Sequence, residues 1–182
     1  MNLTIISYTK VLDRHYENIA LKVSQLVLPP RSAFARFQKG AENFRLALRS
    51  PQLTTIGGKL EIEFLDLVGH GTSNKDFKLG DDFLIRDQKI ESSFAQILNY
   101  YLSPKTQIRL LGCVTGTEIP GLEMLRAVSS ALGNRVVFGT TNIVHADDFD
   151  INGLRSSYTS LTSSLDSEAS PPPTKAALGS AA

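Results

Sequence analysis

The chain has 182 residues, 42% of them hydrophobic and 20% charged, and its 19 basic and 18 acidic side chains leave a net charge of +1. This length suits one domain with a single core, the composition excludes a chain dominated by disorder, and the near balance of charge excludes the basic excess that a nucleic-acid interface needs. One cysteine excludes an internal disulfide and multi-cysteine metal sites, no apolar run approaches the roughly 20 residues of a spanning helix, and the N-terminus lacks the basic and apolar regions of a signal peptide, so the expectation is a soluble, cytoplasmic protein with no membrane partner.

Leu3–Ser7 is a short run rich in β-branched residues that predicts a strand buried on both faces. From Leu12 to Leu28 the residues Leu12, Tyr16, Ile19, Ala20, Val23, Leu26 and Val27 recur every three or four positions, the pattern of an amphipathic helix that Pro29-Pro30 ends. His15 falls within that helix as a surface or interface residue. A second helix is predicted from Ser32, as its N-cap, to about Ser50, with Phe34, Phe37, Ala41, Phe44 and Leu48 along one side. Gly57-Gly58 then turns the chain into a strand over Lys59–Val68, alternating at first and continuously apolar later except for Asp66.

Short apolar pieces flanking Gly80-Asp81-Asp82 predict a small hairpin or a strand entering a loop, and Glu91–Leu102 a helix with Phe94, Ile97, Leu98 and Tyr101 inward. Gln107–Gly112 is a third strong strand, Pro120–Leu132 a helix that Gly133 caps, and Arg135–Phe138 a fourth buried strand. Beyond about Ser156 the composition shifts to Ser, Thr, Pro and Ala. The division expected is therefore a domain over 1–155 and a disordered tail over 156–182. Strands separated by helices predict an α/β fold, a three-layer sandwich with a mostly parallel central sheet.

In such a sheet the site lies outside the carboxyl ends of the strands. Two apolar runs stop there at glycine, and each delivers one reactive side chain at the stop: His70 between Gly69 and Gly71, and Cys113 after Gly112. A cysteine nucleophile needs a neighbour that takes its proton, and an imidazole suits the task because its pKa lies near working pH. The flanking glycines would let a substrate backbone come close, and the Gly71 and Cys113 N–H groups are the candidate oxyanion donors. The bland reading of a lone cysteine after a strand is a small buried residue. His145, beside Asp147 and Asp148, is a weak candidate metal ligand.

The order of apolar strand, Gly69-His70-Gly71, second apolar strand and Gly112-Cys113 resembles the caspase-like clan of cysteine peptidases. The strings Leu67-Val68-Gly69-His70-Gly71 and Ile108-Arg109-Leu110-Leu111-Gly112-Cys113 look most like the self-processing domains of bacterial toxins and CHAT-type protease domains. His70 and Cys113 stand 43 residues apart, near the roughly 50 of caspases. The resemblance implies a caspase-hemoglobinase-like fold and a Cys-His dyad that hydrolyses peptide bonds, with Cys113 as nucleophile and His70 as base. It further implies a substrate cleft around Gly69, Gly112, Thr115 and Thr140, with Asp147, Asp148 and Asp150 as specificity or calcium-binding residues. A protein or peptide substrate and an activating partner or ligand follow from it, with no cofactor and no resident metal. The caspase string Gln-Ala-Cys-x-Gly is replaced by Leu111-Gly112-Cys113-Val114-Thr115. The Gly-His-Gly, Leu79-Gly80-Asp81 and Gly-Cys landmarks also resemble bacterial domains of no established activity, which keeps open a catalytically inactive binding or regulatory module.

Overall fold

The β-branched run at the N-terminus pairs on both edges, and the rest of the sheet grows outward from it. The computed structural model describes residues 1–9, 13–27, 32–49, 55–72, 74–113, 115–151, 153–155 and 161–166. In chain order the elements are β1 (Asn2–Ser7), α1 (Arg14–Leu26), β2 (Ser32–Phe37), α2 (Ala41–Ala47), β3 (Thr55–Ile56), β4 (Lys59–Leu60), β5 (Phe64–Val68), β6 (His70–Gly71), β7 (Phe77–Leu79), β8 (Asp82–Arg86) and β9 (Lys89–Ile90). There follow α3 (Ser92–Tyr101), β10 (Gln107–Leu111), α4 (Glu118–Ala131), β11 (Val137–Thr140), a 3-10 turn (Ala146–Asp148), β12 (Phe149–Asp150), β13 (Gly153–Leu154) and β14 (Leu161–Ser163).

The central sheet runs β14-β11-β10-β5-β1-β2, parallel throughout except for β14. Neighbouring side chains on each strand point to opposite faces, so a strand that is apolar throughout is covered on both. Leu65, Leu67, Ile108 and Leu110 pack with Phe44 of α2, Phe94 and Leu98 of α3, and Met124 and Leu125 of α4. Val68 and Leu111 pack instead with Tyr16 and Ile19 of α1 and with Phe149 and Leu154 of β12 and β13. The chain is thus an α/β structure with a mostly parallel sheet, and among the described residues α1 is the α-helix on the face that concerns the site, with the 3-10 turn beside it.

Several expectations change. Lys59–Val68, expected as one strand, is two: β4 pairs antiparallel with β3, and β5 joins the central sheet. Ser32–Phe37 is a strand, not the first turns of a helix, because every residue in it pairs with β1. The helix begins only after Gly40, whose positive φ of 87° breaks the run. The three-and-four spacing of Phe34, Phe37, Ala41 and Phe44 came from a strand and a helix laid end to end, and long-range pairing overrode the local periodicity. Similarly, the predicted hairpin at Phe77–Ile85 exists, but as the centre of a four-stranded antiparallel sheet, β6-β7-β8-β9, whose first strand is His70–Gly71. Within the predicted tail, Leu161–Ser163 pairs antiparallel with β11, while 156–160 and 167–182 lie outside the described residues. Among the described residues no helix is long and apolar enough to cross a membrane.

Candidate active site

The two strands that end in His70 and Cys113 are immediate neighbours. β5 and β10 pair in parallel with Asp66 opposite Arg109 and Val68 opposite Leu111. The contact outlasts the strands, since Gly69 N–H donates to the Leu111 carbonyl at 3.0 Å. Glycine is required here for close approach. A Cβ on Gly112 would stand 2.7 Å from the Gly69 oxygen and 2.8 Å from the Gly71 nitrogen, and one on Gly71 would stand 2.3 Å from the Cys113 oxygen. A Cβ on Gly69 would meet the Lys78 oxygen at 2.2 Å. The glycines expected to admit a substrate backbone therefore first admit one another, and this brings the His70 and Cys113 turns together.

Thr115 and Thr140, expected to line a substrate cleft, are buried. The Thr115 hydroxyl donates to Leu110 O at 2.8 Å and accepts from Thr140 N–H at 2.9 Å. The Thr140 hydroxyl donates to the Gly112 carbonyl. These bonds pin the peptide carbonyls on either side of Leu111-Gly112 and so fix where Cys113 leaves the sheet.

His70 is half-exposed and is held from the α1 side. Its ring stands against Tyr16, with centroids 4.4 Å apart and planes at 67°. Its Nε2 lies 3.4 Å from Asp13 Oδ2. Asp13 is the N-cap of α1, and its Oδ1 accepts from His15 N–H at 3.0 Å, so one carboxylate both starts the helix and faces the imidazole. Burial lowers the His70 pKa below the ordinary 6.5; Asp13 opposes the shift, and His15 and Lys78 add to it. The ring is accordingly neutral at pH 7, the form that can accept a proton.

Cys113 is free and partly exposed. It lines a crevice of about 10 Å³, the space of one water, walled by Tyr16, Ile19, Val68, Leu111 and Val144, with His15 and the half-exposed Ile143 also at its edge. Among the described residues no hydrogen bond joins His70 to Cys113. The Tyr16 phenol is pushed far above its usual range, first by burial and then by Cys113 and Asp13, and so stays protonated; it donates to the Gly69 carbonyl at 2.8 Å.

His15 lines the crevice, and its ring stands 5.2 Å from Tyr16 and 5.7 Å from His145. His145 N–H donates to Asp148 Oδ2 at 2.7 Å, capping the 3-10 turn, while Asp147 is exposed and its backbone carbonyl accepts from Arg155. No group of three or more His, Cys, Asp or Glu side chains among the described residues is placed to hold a metal ion. Sequence reasoning missed Asp13 and Tyr16. The signal was present as an acidic N-cap followed three residues later by a tyrosine, which places both on one side of the first helical turn.

No family model matches the sequence, and neither a curated protein nor a solved structure matches it.

Proposed function

We propose that the protein is a cysteine endopeptidase of the caspase-like kind, with Cys113 as nucleophile and His70 as general base. The observation that carries this reading is the register of β5 and β10: two neighbouring parallel strands release His70 and Cys113 the same number of residues past a paired position. The adjacency of β5 and β10 is what a caspase-hemoglobinase-like three-layer sandwich requires of the strands that carry its dyad.

With Asp13 at Nε2, Nδ1 is the nitrogen left to take the thiol proton. The thiolate attacks the scissile carbonyl carbon, and its oxygen becomes an oxyanion facing the Gly71 and Cys113 amides. The Gly71 nitrogen lies close against Gly112, where an added Cβ would stand 2.8 Å from it. The imidazolium then returns its proton to the leaving amine. A water, deprotonated by His70, hydrolyses the thioester and restores the thiol. The open His70–Cys113 geometry of the resting site is common for catalytic hydrogen bonds that close only on substrate.

The same open geometry and the one-water crevice favour a second reading, a caspase-like module that binds without cutting. A peptidyl acyloxymethyl ketone, which must be both bound and attacked, separates the two. Mass spectrometry should find the label on Cys113, and His70→Ala should slow labelling by about 100-fold or more. Ready alkylation by iodoacetamide with no ketone adduct would leave the binding module.

A further inference from the structure

We propose that Tyr16 is a positioning residue that sets the orientation of the His70 imidazole, through two separate contacts of one side chain. The inference rests on His70 being the base of the proposed site. The phenol O–H donates to the Gly69 carbonyl at 2.8 Å, across 53 residues of chain. That carbonyl belongs to the peptide immediately before His70, and a trans peptide is a rigid plane. Anchoring its oxygen fixes the plane that carries the His70 nitrogen and Cα, and the pairing of His70 with Lys78 in β6 and β7 holds the torsion that aims Cβ. The aromatic ring then meets the imidazole itself, centroids 4.4 Å apart at 67°, an edge-to-face contact that restricts rotation about the last side-chain torsion. That torsion is otherwise broad for histidine, so an unsupported ring would turn freely.

Nothing in core packing alone demands a tyrosine here. Ile19, Ala20 and Val23 occupy the neighbouring buried positions of α1 and carry no polar atom. The phenol brings a hydroxyl to a residue position only 6% exposed, where an unpaired polar group is unfavourable, and its partner is the peptide that leads into His70. The side chain also lines the crevice beside Cys113, so it touches both halves of the site while contributing no group to the reaction. The charged and titratable groups around His70 are Asp13 and His15 from α1 and Lys78 from β7, with Cys113 across the β5–β10 seam.

The test uses the full chain and two readouts that need no peptide cleavage: the titration of the His70 ring by NMR, and the pH profile of Cys113 alkylation by iodoacetamide. Tyr16→Phe keeps the ring and removes the hydroxyl; alkylation at pH 7.5, a value chosen for the assay to lie about a unit above the ordinary imidazole pKa, should fall roughly tenfold, a fraction of what ångström-scale misplacement can cost. The His70 midpoint in this variant should stay below 6.5. Tyr16→Leu removes the ring contact as well, and the midpoint should move up toward 6.5 as the imidazole meets water. Should Tyr16→Leu fail to fold, Tyr16→Phe decides alone. A folded Tyr16→Phe that alkylates within about twofold of the parent across the profile overturns the proposal. Ketone labelling run in parallel separates this from the peptidase reading: a parent protein that takes no ketone but shows the Tyr16 effects retains the positioning role and loses the enzyme.

Discussion

The same two strands carry two polar pairs, and they contrast in every respect except their spacing. Asp66 and Arg109 are register partners in the middle of β5 and β10, and His70 and Cys113 follow four residues later on each, so both pairs are 43 residues apart in sequence. The inner pair is closed: Asp66 is 0% and Arg109 4% exposed, and the guanidinium meets the carboxylate through two bonds of 2.5 and 2.7 Å. Arg109 also lies 4.2 Å over the Phe64 ring and reaches the Leu154 carbonyl. The outer pair is open, half-exposed, without a mutual hydrogen bond, and flanked by glycines in place of packed side chains. A charged pair in mid-strand must be fully satisfied because water cannot reach it, whereas a pair just past the strand ends can keep unused valences for a substrate.

Breaking the inner pair should produce the largest effect on stability. Arg109→Ala leaves the Asp66 carboxylate buried without its partner and should cost about 3–5 kcal/mol, read as a shift of the urea midpoint. Replacing both residues together, Asp66→Leu with Arg109→Met, should recover most of that loss, because the penalty belongs to the orphaned charge. His70→Ala, by contrast, should change stability by under about 1 kcal/mol while removing the labelling of Cys113. If His70→Ala proved as damaging as Arg109→Ala, the outer pair would be structural and the distinction between the two would fail.

The seam between the two turns offers an intermediate effect. Gly71→Ala places a Cβ 2.3 Å from the Cys113 carbonyl oxygen and 2.9 Å from Thr115 Cγ2, and the Cys113 backbone has little room to yield. Overpacking of this kind should destabilise by about 1–3 kcal/mol. It should also abolish ketone labelling in whatever fraction remains folded, since the Gly71 amide and the Cys113 turn move together. A variant that folds with labelling intact would mean that neither amide faces the reacting carbonyl.

How much of this was legible beforehand depended on the range of the physics involved. The outer pair could be found because an apolar run ending at glycine marks a strand end, and both reactive residues sat at such an end. α1, α3 and α4 announced themselves through long periodic stripes. β2 did not, because its six residues were drawn into the sheet by pairing with β1, and the phenylalanines of β2 and α2 happened to keep helical spacing across the Gly40 break. Asp13 and Tyr16 were hidden for a related reason. Each has a sufficient local role, as N-cap and as core residue, and only the fold of α1 onto the β5 and β10 ends shows that both also face His70. Thr115 and Thr140 were visible as candidates, but their burial arises from carbonyl pairing that a sequence pattern does not encode.

Acidification should produce the smallest effect, and it should touch the outer pair first. Because burial against Tyr16 lowers the His70 pKa below 6.5, the unfolded chain binds a proton at this residue over a pH range in which the folded chain does not. Stability then rises with pH inside that window, is level with respect to His70 above 6.5, and falls as the solution is acidified through 6.5 toward the folded value. The slope stays below one proton, since the ring is partly exposed and Asp13 works against the shift. Urea titrations at a series of pH values should show this shallow slope in the parent and lose it in His70→Gln. Asp13→Asn removes the opposing carboxylate and should steepen the slope, with the His70 midpoint moving further down. A slope that survived His70→Gln would not come from His70, and the reading of the outer pair as the source of this acid sensitivity would fail.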